Sequence, residues 1–329
     1  MLKVSVLMSC YNGERWVADS ISSILYQTYE NYEFIIIDDG SIDHTWEIIQ
    51  KFSKIDSRII PVRKENTGLP DSLNCGLEIA KGKWIARIDQ DDVSLHDRIM
   101  SQLNYVEQNP ELYLAGGFFE EVDEDLTFLK LHSYPICHRK LIANLEGFKK
   151  FFPHSSAFYR ADIARLIGGY NKRFSMADDR KLWLDFALLG KIGCVPKVVV
   201  KIRKHQGQMS QSMRGQTQIR DALASTVCYF LKKHGSVDPG QLADESKWII
   251  FINWIDENLK KNHVYIRERK WMIFRAKILA IKAGEVRASF RAISYLLSDK
   301  HLIYTAFQKR FGSNVPKYLF KKWIQKNAG

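Results

Sequence analysis

Trp84-Ile-Ala-Arg-Ile-Asp-Gln-Asp-Asp92 is the stretch from which the rest of the chain can be read. A short apolar run, Trp84 to Ile88, ends abruptly in three carboxylates, Asp89, Asp91 and Asp92. A run of that length and composition reads as a buried strand, which puts the acids at its carboxyl end, where open α/β sheets gather their ligands. Carboxylates packed so closely raise one another's pKa unless a positive charge joins them. A hard divalent cation with oxygen ligands, bridging to substrate phosphates, is the natural partner. Arg87, just before the acids, is expected to neutralise them or touch a diphosphate, because an arginine seldom points into a core.

Outward from this stretch, the first hundred residues alternate strand and helix. Lys3 to Ser9, Phe34 to Ile37 and Arg58 to Arg63 read as strands. Glu14 to Gln27, the segment from Asp43 (as N-cap) to Phe52, and Leu69 to Lys81 read as helices. Such repeats with short connections predict right-handed crossovers and a mainly parallel central sheet flanked by helices. Further on, Asp97 to Gln108 and Asp178 to Leu189 read as helices, and Tyr113 to Phe119, His154 to Tyr159 and Cys194 to Arg203 as strands. From about Gly215 the pattern is almost wholly helical, so residues 1–212 are expected to form the α/β domain and 213–329 a basic helical region.

The 329 residues carry a formal net charge of +12, but unevenly. Between Lys261 and Gly329 there are 16 Lys and Arg against 3 acids, which leaves the preceding residues near neutrality. A basic block of this kind meets anionic lipid or nucleic acid. Trp271 to Ala280 and Lys317 to Lys326 mix aromatic and basic residues as interfacial helices do. The first is expected to pack in a bundle, and the second is the better candidate for lying on a membrane. The five cysteines, Cys10, Cys75, Cys137, Cys194 and Cys228, are scattered and form no CxxC pair, which favours a reducing compartment over a disulfide framework or zinc site. No window approaches a membrane span, and the apolar start is too short for a signal sequence. The expected location is the cytoplasm, or the inner face of the plasma membrane as a peripheral protein.

Asp38-Asp39 closes the second strand as the triad closes the fourth. The first loop, Ser9-Cys-Tyr-Asn-Gly13, is a tight strand-to-helix turn with Tyr11 available to cover a flat ligand. Neither GxGxxG nor GxxxxGK[ST] occurs, which disfavours dinucleotide and P-loop sites. Six ordered groups of residues resemble glycosyltransferase family 2: Val4 to Glu14, Ile35 to Ser41, Glu65 to Gly68 with Leu73 to Gly76, Ala86 to Asp92, Pro153 to Arg160 with Gly168-Gly-Tyr170, and Ala177-Asp-Asp179 before Leu182-Trp183, followed by Lys201 to His205. The resemblance runs over about residues 3–212. It implies a GT-A fold, a nucleoside-diphosphate sugar donor (a UDP-sugar foremost), a divalent cation (Mn2+ or Mg2+) and inversion at the anomeric carbon. The implied acceptor is a hydroxyl of a glycan or lipid-linked molecule of cell-surface polysaccharide or lipopolysaccharide.

The same resemblance assigns roles. Tyr11, Glu14, Asp39 and Asn66 fall among nucleotide contacts, with Asp39 on the base edge. Asp89 and Asp91 form a DxD motif, Asp91 as direct metal ligand and Asp89 toward the ribose or a metal-bound water. His205 and Arg203 stand where the closing block approaches metal and diphosphate. Asp178-Asp179 occupies the place of the acidic pair, commonly Glu-Asp, that supplies the catalytic base, and Asp179 is the favoured member. His154 either lines the acceptor side or satisfies a buried group. Two other classes fit less well. A metal-dependent nucleotidyltransferase would show a better phosphate loop than Tyr11-Asn-Gly-Glu-Arg15. A non-enzymatic basic module binding nucleic acid would need a recognisable motif in its tail, so nucleic acid is not an expected partner.

Overall fold

The computed structural model describes residues 2–205, 207, 215–261 and 315–327. The chain divides into two compact units, the first made of Met1–Leu145 and Lys149–Met213 and the second of Glu146–Phe148 and Arg214–Gly329. The Trp271 to Ala280 segment lies outside the described residues.

In the first unit, β1 (Val4–Cys10), β2 (Tyr32–Asp38), β3 (Ile59–Arg63) and β4 (Trp84–Arg87) alternate with α1 (Val17–Leu25), α2 (Thr45–Ile55) and α3 (Leu69–Ile79). Every residue of β1, β2 and β4 is buried, as strands covered on both faces must be. The four strands are parallel in the order β3-β2-β1-β4, with Leu7 beside Ile35 on one side and Arg87 on the other. Strand order therefore reverses at β1, and the crevice beyond its carboxyl end is where such a sheet binds ligands. Gly76 lets α3 lie directly on β1, because a Cβ there would overlap Leu7. Ile36, Phe34, Met8, Ile49 and Ile99 are among the fully buried residues of the main core, each contributing roughly 1.5–3 kcal/mol of burial.

Beyond Asp92 the pattern changes. β5 (Val93–Ser94) leads to α4 (Arg98–Gln108), and β6 (Leu112–Val122) turns into β7 (Phe128–His132). Then come α5 (His138–Glu146), β8 (Phe158–Arg160), α6 (Ala161–Leu166), α7 (Asp178–Leu189) and β9 (Lys191–Arg203). The sheet continues β4-β8-β6-β9-β5, with β7 paired to β6. The parallel pairing of the first half holds once more at β6–β9. The pairs β4–β8, β6–β8, β5–β9 and β6–β7 run antiparallel. His154–Ser156 forms a helical turn rather than the start of a strand, and β8 begins only at Phe158. The helix expected from Asp178 to Leu189 is found with those bounds.

The second unit holds α8 (Gly215–Lys233), α9 (Glu245–Lys261) and α10 (Val315–Asn327). Phe320 stacks near Phe230 and His234, while the Trp323 ring lies 4.9 Å from both Phe251 and Trp254. The apolar side of α10 is thus used in packing, while Lys317, Lys321, Lys322 and Lys326 point to solvent. Among the described residues no helix is long and apolar enough to cross a membrane.

Candidate active site

The β1–α1 turn and the β2–α2 turn are tied into one structure. Asn12 takes a positive φ of 47°; its amide donates to Ser41 Oγ (3.0 Å) and its Oδ1 accepts from the Ile42 amide (3.0 Å). The Gly13 amide donates to Thr45 Oγ1 at 2.7 Å. Glu14 accepts from the backbone and ring nitrogens of His44 at 3.0 and 2.7 Å, which holds its carboxyl below the ordinary range. Its place in the site is therefore at the mouth of α2. Exposed Tyr11 is held through its backbone, which exchanges hydrogen bonds with the side chain of Gln90 (2.9 and 3.1 Å).

Asp39 is buried at the end of β2. Burial pushes its carboxyl up, but Lys64 (2.5 Å) and the amides of Thr67 (3.1 Å) and Gly68 (2.9 Å) outweigh that and keep it ionised. Gly40, at φ +74°, passes so close to the Asn66 amide that a side chain would strain the turn, and Asn66 itself is exposed on the loop between β3 and α3.

Oxygens of Asp89, Asp91 and Asp92 all lie within 4.8 Å of one another. The wall beneath them comes from elsewhere in the chain. Ser155 Oγ donates to Asp89 Oδ2 at 2.6 Å and accepts from the Asp89 amide at 2.9 Å. Arg87 is fully buried and ion-paired with Asp89, contrary to the expectation that it would avoid the core. The reason is the pair itself: burial disfavours the guanidinium charge, and the Asp89 carboxylate more than offsets it. Removing Asp89's charge leaves Arg87 buried and unpaired, so Asp89→Asn is expected to destabilise the fold by about 3 kcal/mol, read as a lower midpoint in urea unfolding.

β5 turns back on β9 directly after Asp92, and this brings the carboxyl end of β9 to the triad. The Arg203 amide donates to Asp92 Oδ1 (3.1 Å), and His205 Nε2 lies 2.8 Å from Asp91 Oδ2. The Arg203 guanidinium is engaged within the protein. It contacts Asp19 (2.8 Å), the Asp91 carbonyl (3.2 Å) and the Glu124 carbonyl (3.3 Å), and lies 4.4 Å over the Trp16 ring. It therefore meets the site by holding the triad's backbone. Burial, then Asp91 and Asp89, push the Asp92 carboxyl well above its usual range. Three carboxylates whose oxygens gather within 4.8 Å form a donor set that fits a hard divalent cation.

Asp178 and Asp179 open α7. Burial raises both carboxyls, and Asp178, which also feels Asp179, is pushed up to about 8. Charges of Arg87 and Asp89 act on Asp179, so the acidic pair belongs to the same electrostatic neighbourhood as the triad. Asp179 is half-buried and accepts from the Arg180 amide at 2.6 Å, whereas Asp178 is buried with Oδ2 unpartnered. His154, neutral through burial and the nearby Arg87, shares a 2.8 Å hydrogen bond with the Tyr170 hydroxyl. Sequence reasoning missed Ser155, Gln90, Lys64 and Trp16. Ser155 stands in a quoted block, but nothing in a lone serine announces that it faces a carboxylate.

The native state keeps the Asp178 proton between about pH 4 and 8, where an unfolded chain loses it. Wild-type stability should therefore fall as pH rises through that window. Asp178→Asn, which mimics the protonated form, should be more stable than wild type at pH 8 by about 1–3 kcal/mol and show a flatter pH dependence of Tm.

Residues 5–168 match the family model for glycosyl transferase family 2. A glycosyltransferase of Haemophilus influenzae, itself uncharacterised, is 33% identical over 247 residues, covering 70% of this chain and 75% of the relative. The chain belongs to glycosyltransferase family 2. It is a transferase with the GT-A fold. The match with the family model contains the triad and Ser155, while Asp178, Asp179, Arg203 and His205 lie beyond it. An Escherichia coli relative, the UDP-Glc:alpha-D-GlcNAc-diphosphoundecaprenol beta-1,3-glucosyltransferase WfaP, is 37% identical over 125 residues, covering 38% of this chain and 49% of its own. Among solved structures, Staphylococcus aureus TarS 1–349 in complex with UDP-GlcNAc has a TM-score of 0.55 at 16% identity, covering 74% of this chain and 69% of that one.

Proposed function

We propose that this family 2 glycosyltransferase moves a sugar, with inversion, from a nucleoside-diphosphate sugar to a hydroxyl of a glycan or lipid-linked acceptor. The product would belong to a cell-surface polysaccharide or lipopolysaccharide, made at the cytoplasmic face of the membrane. The observation that carries this reading is the convergence of three carboxylates within 4.8 Å at the β1/β4 crevice. A UDP-sugar is the favoured donor, since both WfaP and the TarS complex carry uridine nucleotides in their names.

Asp91 and Asp89, with His205, would hold a divalent cation, Mn2+ or Mg2+, which when bound supplies positive charge for the departing diphosphate. The remaining work falls to the chain's own groups. Tyr11, Asp39 and Asn66, on the turns after β1, β2 and β3, would bind the nucleoside, and Glu14 braces the first turn against α2. Asp179 would take the proton from the acceptor hydroxyl as its oxygen bonds the anomeric carbon, while the bond to the diphosphate oxygen breaks with its electron pair. Asp178, protonated at neutral pH, would keep a second negative charge away from the base. Arg203 would fix the triad's backbone beneath the diphosphate.

A panel of nucleotide sugars, screened by thermal shift and then by donor turnover with Mn2+, Mg2+ or chelator, tests this reading. Stabilisation by a uridine-diphosphate sugar that needs the cation is the expected result. Failure of every nucleotide sugar to bind would overturn it.

A further inference from the structure

His154 stands on a turn that is fastened to the triad. Within His154–Ser156 the Ser156 amide bonds Pro153 O at 3.0 Å and the Ala157 amide bonds His154 O at 3.0 Å. The next side chain, Ser155, is the one that holds Asp89 by two hydrogen bonds. The imidazole packs against two aromatic rings, Tyr170 at 5.4 Å and Trp183, edge-on, at 5.7 Å. Fully buried Tyr159 packs on the same Trp183 ring at 5.6 Å.

His154, Tyr170 and Tyr159 form a chain of polar groups. His154 Nε2 lies 2.8 Å from the Tyr170 hydroxyl, which lies 3.0 Å from the Tyr159 hydroxyl. Among the described residues the Tyr159 hydroxyl has no further partner. A phenol has one proton to give, and a neutral imidazole donates at one nitrogen and accepts at the other. Burial and the charge of Arg87 keep this imidazole neutral. If Nε2 carried the proton, it would donate to Tyr170, and one of the two phenolic protons would have no acceptor inside the protein. A buried donor left unpaired costs its whole desolvation, more than a made bond returns. With Tyr159 donating to Tyr170, and Tyr170 donating to a bare Nε2, every proton is used. The imidazole proton is thereby placed on Nδ1.

Nδ1 has no partner among the described residues and, on a half-buried side chain, is not one of the enclosed atoms. The turn thus offers an N–H whose direction is set by packing and whose proton is set by two tyrosines. Asp89 is close on one side, near enough for the imidazole and the carboxylate to influence each other. On the other side Asp178, at the start of α7, acts electrostatically on both Tyr170 and Arg87. In sugar transfer the anomeric carbon lies between a diphosphate held over the triad and a hydroxyl deprotonated at α7, so the moving sugar spans that interval. A sugar hydroxyl accepts as well as donates, and a neutral, preset N–H meets it without adding a charge. A diphosphate oxygen is the poorer match, because it calls for a cationic donor.

We propose that His154 is a sugar-contacting residue whose Nδ1–H donates a hydrogen bond to a hydroxyl of the sugar being transferred. Tyr159 and Tyr170 are positioning residues that keep the proton on that nitrogen. The sugar contact rests on the transfer reading; the tautomer does not.

Two measurements on the full chain test this. NMR of the imidazole nitrogens near neutral pH without ligand, with His154 identified by the loss of its signal in His154→Gln, should show Nδ1 protonated and Nε2 bare. The second is affinity, titrated with Mn2+ and without acceptor, for UDP and GDP and for UDP-glucose, UDP-N-acetylglucosamine and GDP-mannose. An asparagine amide takes the place of Nδ1 and a glutamine amide reaches the place of Nε2, so the two substitutions divide the functions of the ring. His154→Gln keeps a partner for Tyr170 and removes the donor. It should bind the nucleotide sugar preferred by wild type about three- to tenfold more weakly, and the matching diphosphate as wild type does. His154→Asn keeps the donor and should hold the nucleotide sugar within about twofold of wild type, while its Tm falls because Tyr170 loses its acceptor. A residue that only braces the fold would give the reverse order. A proton on Nε2, or undiminished nucleotide-sugar affinity in His154→Gln, would overturn the proposal. An equal loss for the diphosphate would do so too, by putting the ring on the phosphates. A wild type that binds none of these nucleotides would remove the transfer reading and the sugar contact together, whatever the tautomer.

Discussion

Asp179→Asn is expected to lower kcat for sugar transfer by about 10³- to 10⁴-fold while donor affinity stays within about threefold of wild type. Its amide keeps the size and the bond to the Arg180 amide but cannot accept a proton from the attacking hydroxyl. The neighbouring Asp178→Asn should retain most of its activity, because that carboxyl already holds its proton below about pH 8. Burial raises the Asp179 carboxyl, so the acid limb of kcat/KM should lie above that of an exposed carboxylate, with activity rising as pH climbs through it. Single-turnover transfer and donor titration on the two variants check the assignment. Full activity in Asp179→Asn with a collapse in Asp178→Asn would exchange the two roles.

Asp91→Asn should cost about 10³-fold in transfer and abolish the Mn2+-induced rise in Tm, with little loss of intrinsic stability. The contrast with Asp89 is what makes the experiment informative. Asp89 answers the buried charge of Arg87, whereas the side chain of Asp91 is paired, among the described residues, with half-buried His205. One substitution should therefore read mainly in unfolding and the other mainly in cation binding and rate. Chelator should bring wild type down to the level of Asp91→Asn, and restoring Mn2+ should rescue wild type alone. A variant that still responds to Mn2+ as wild type does would exclude Asp91 as a ligand.

Much of this arrangement was legible because apolar runs are local signals. Phe34 to Ile37 and Trp84 to Ile88 announce buried strands, and acids directly after them announce a strand-end site. The α7 bounds were legible too, since Asp178 and Gly190 punctuate them. What escaped depended on pairing between distant segments. The antiparallel joins of β8 and β5 follow from where the chain returns after long excursions, which no window of sequence contains. β7 was missed because its alternation, Leu129 to His132, is only four residues long and is broken at Phe128, where the bulge falls. Arg87 pairs with the acids as expected, but its burial was not legible, since it depends on Asp89 and on Ser155, which lies 68 residues away. The packing of α10 on α8 and α9 likewise depends on partners that its own amphipathic sequence does not name.

The interlocked turns after β1 and β2 bear on how donor preference can change over evolutionary time. Asn12, Gly13 and Glu14 are bonded one by one to Ser41, Ile42, Thr45, Asp43 and His44, so neither turn has a conformation of its own to vary. If these turns bind the nucleoside as proposed, a lineage acquiring a different nucleobase would have to alter both together, passing through intermediates that lose stability before they gain a new ligand. Variation should therefore collect first at Tyr11 and Asn66, whose exposed side chains can be exchanged without disturbing that stitching.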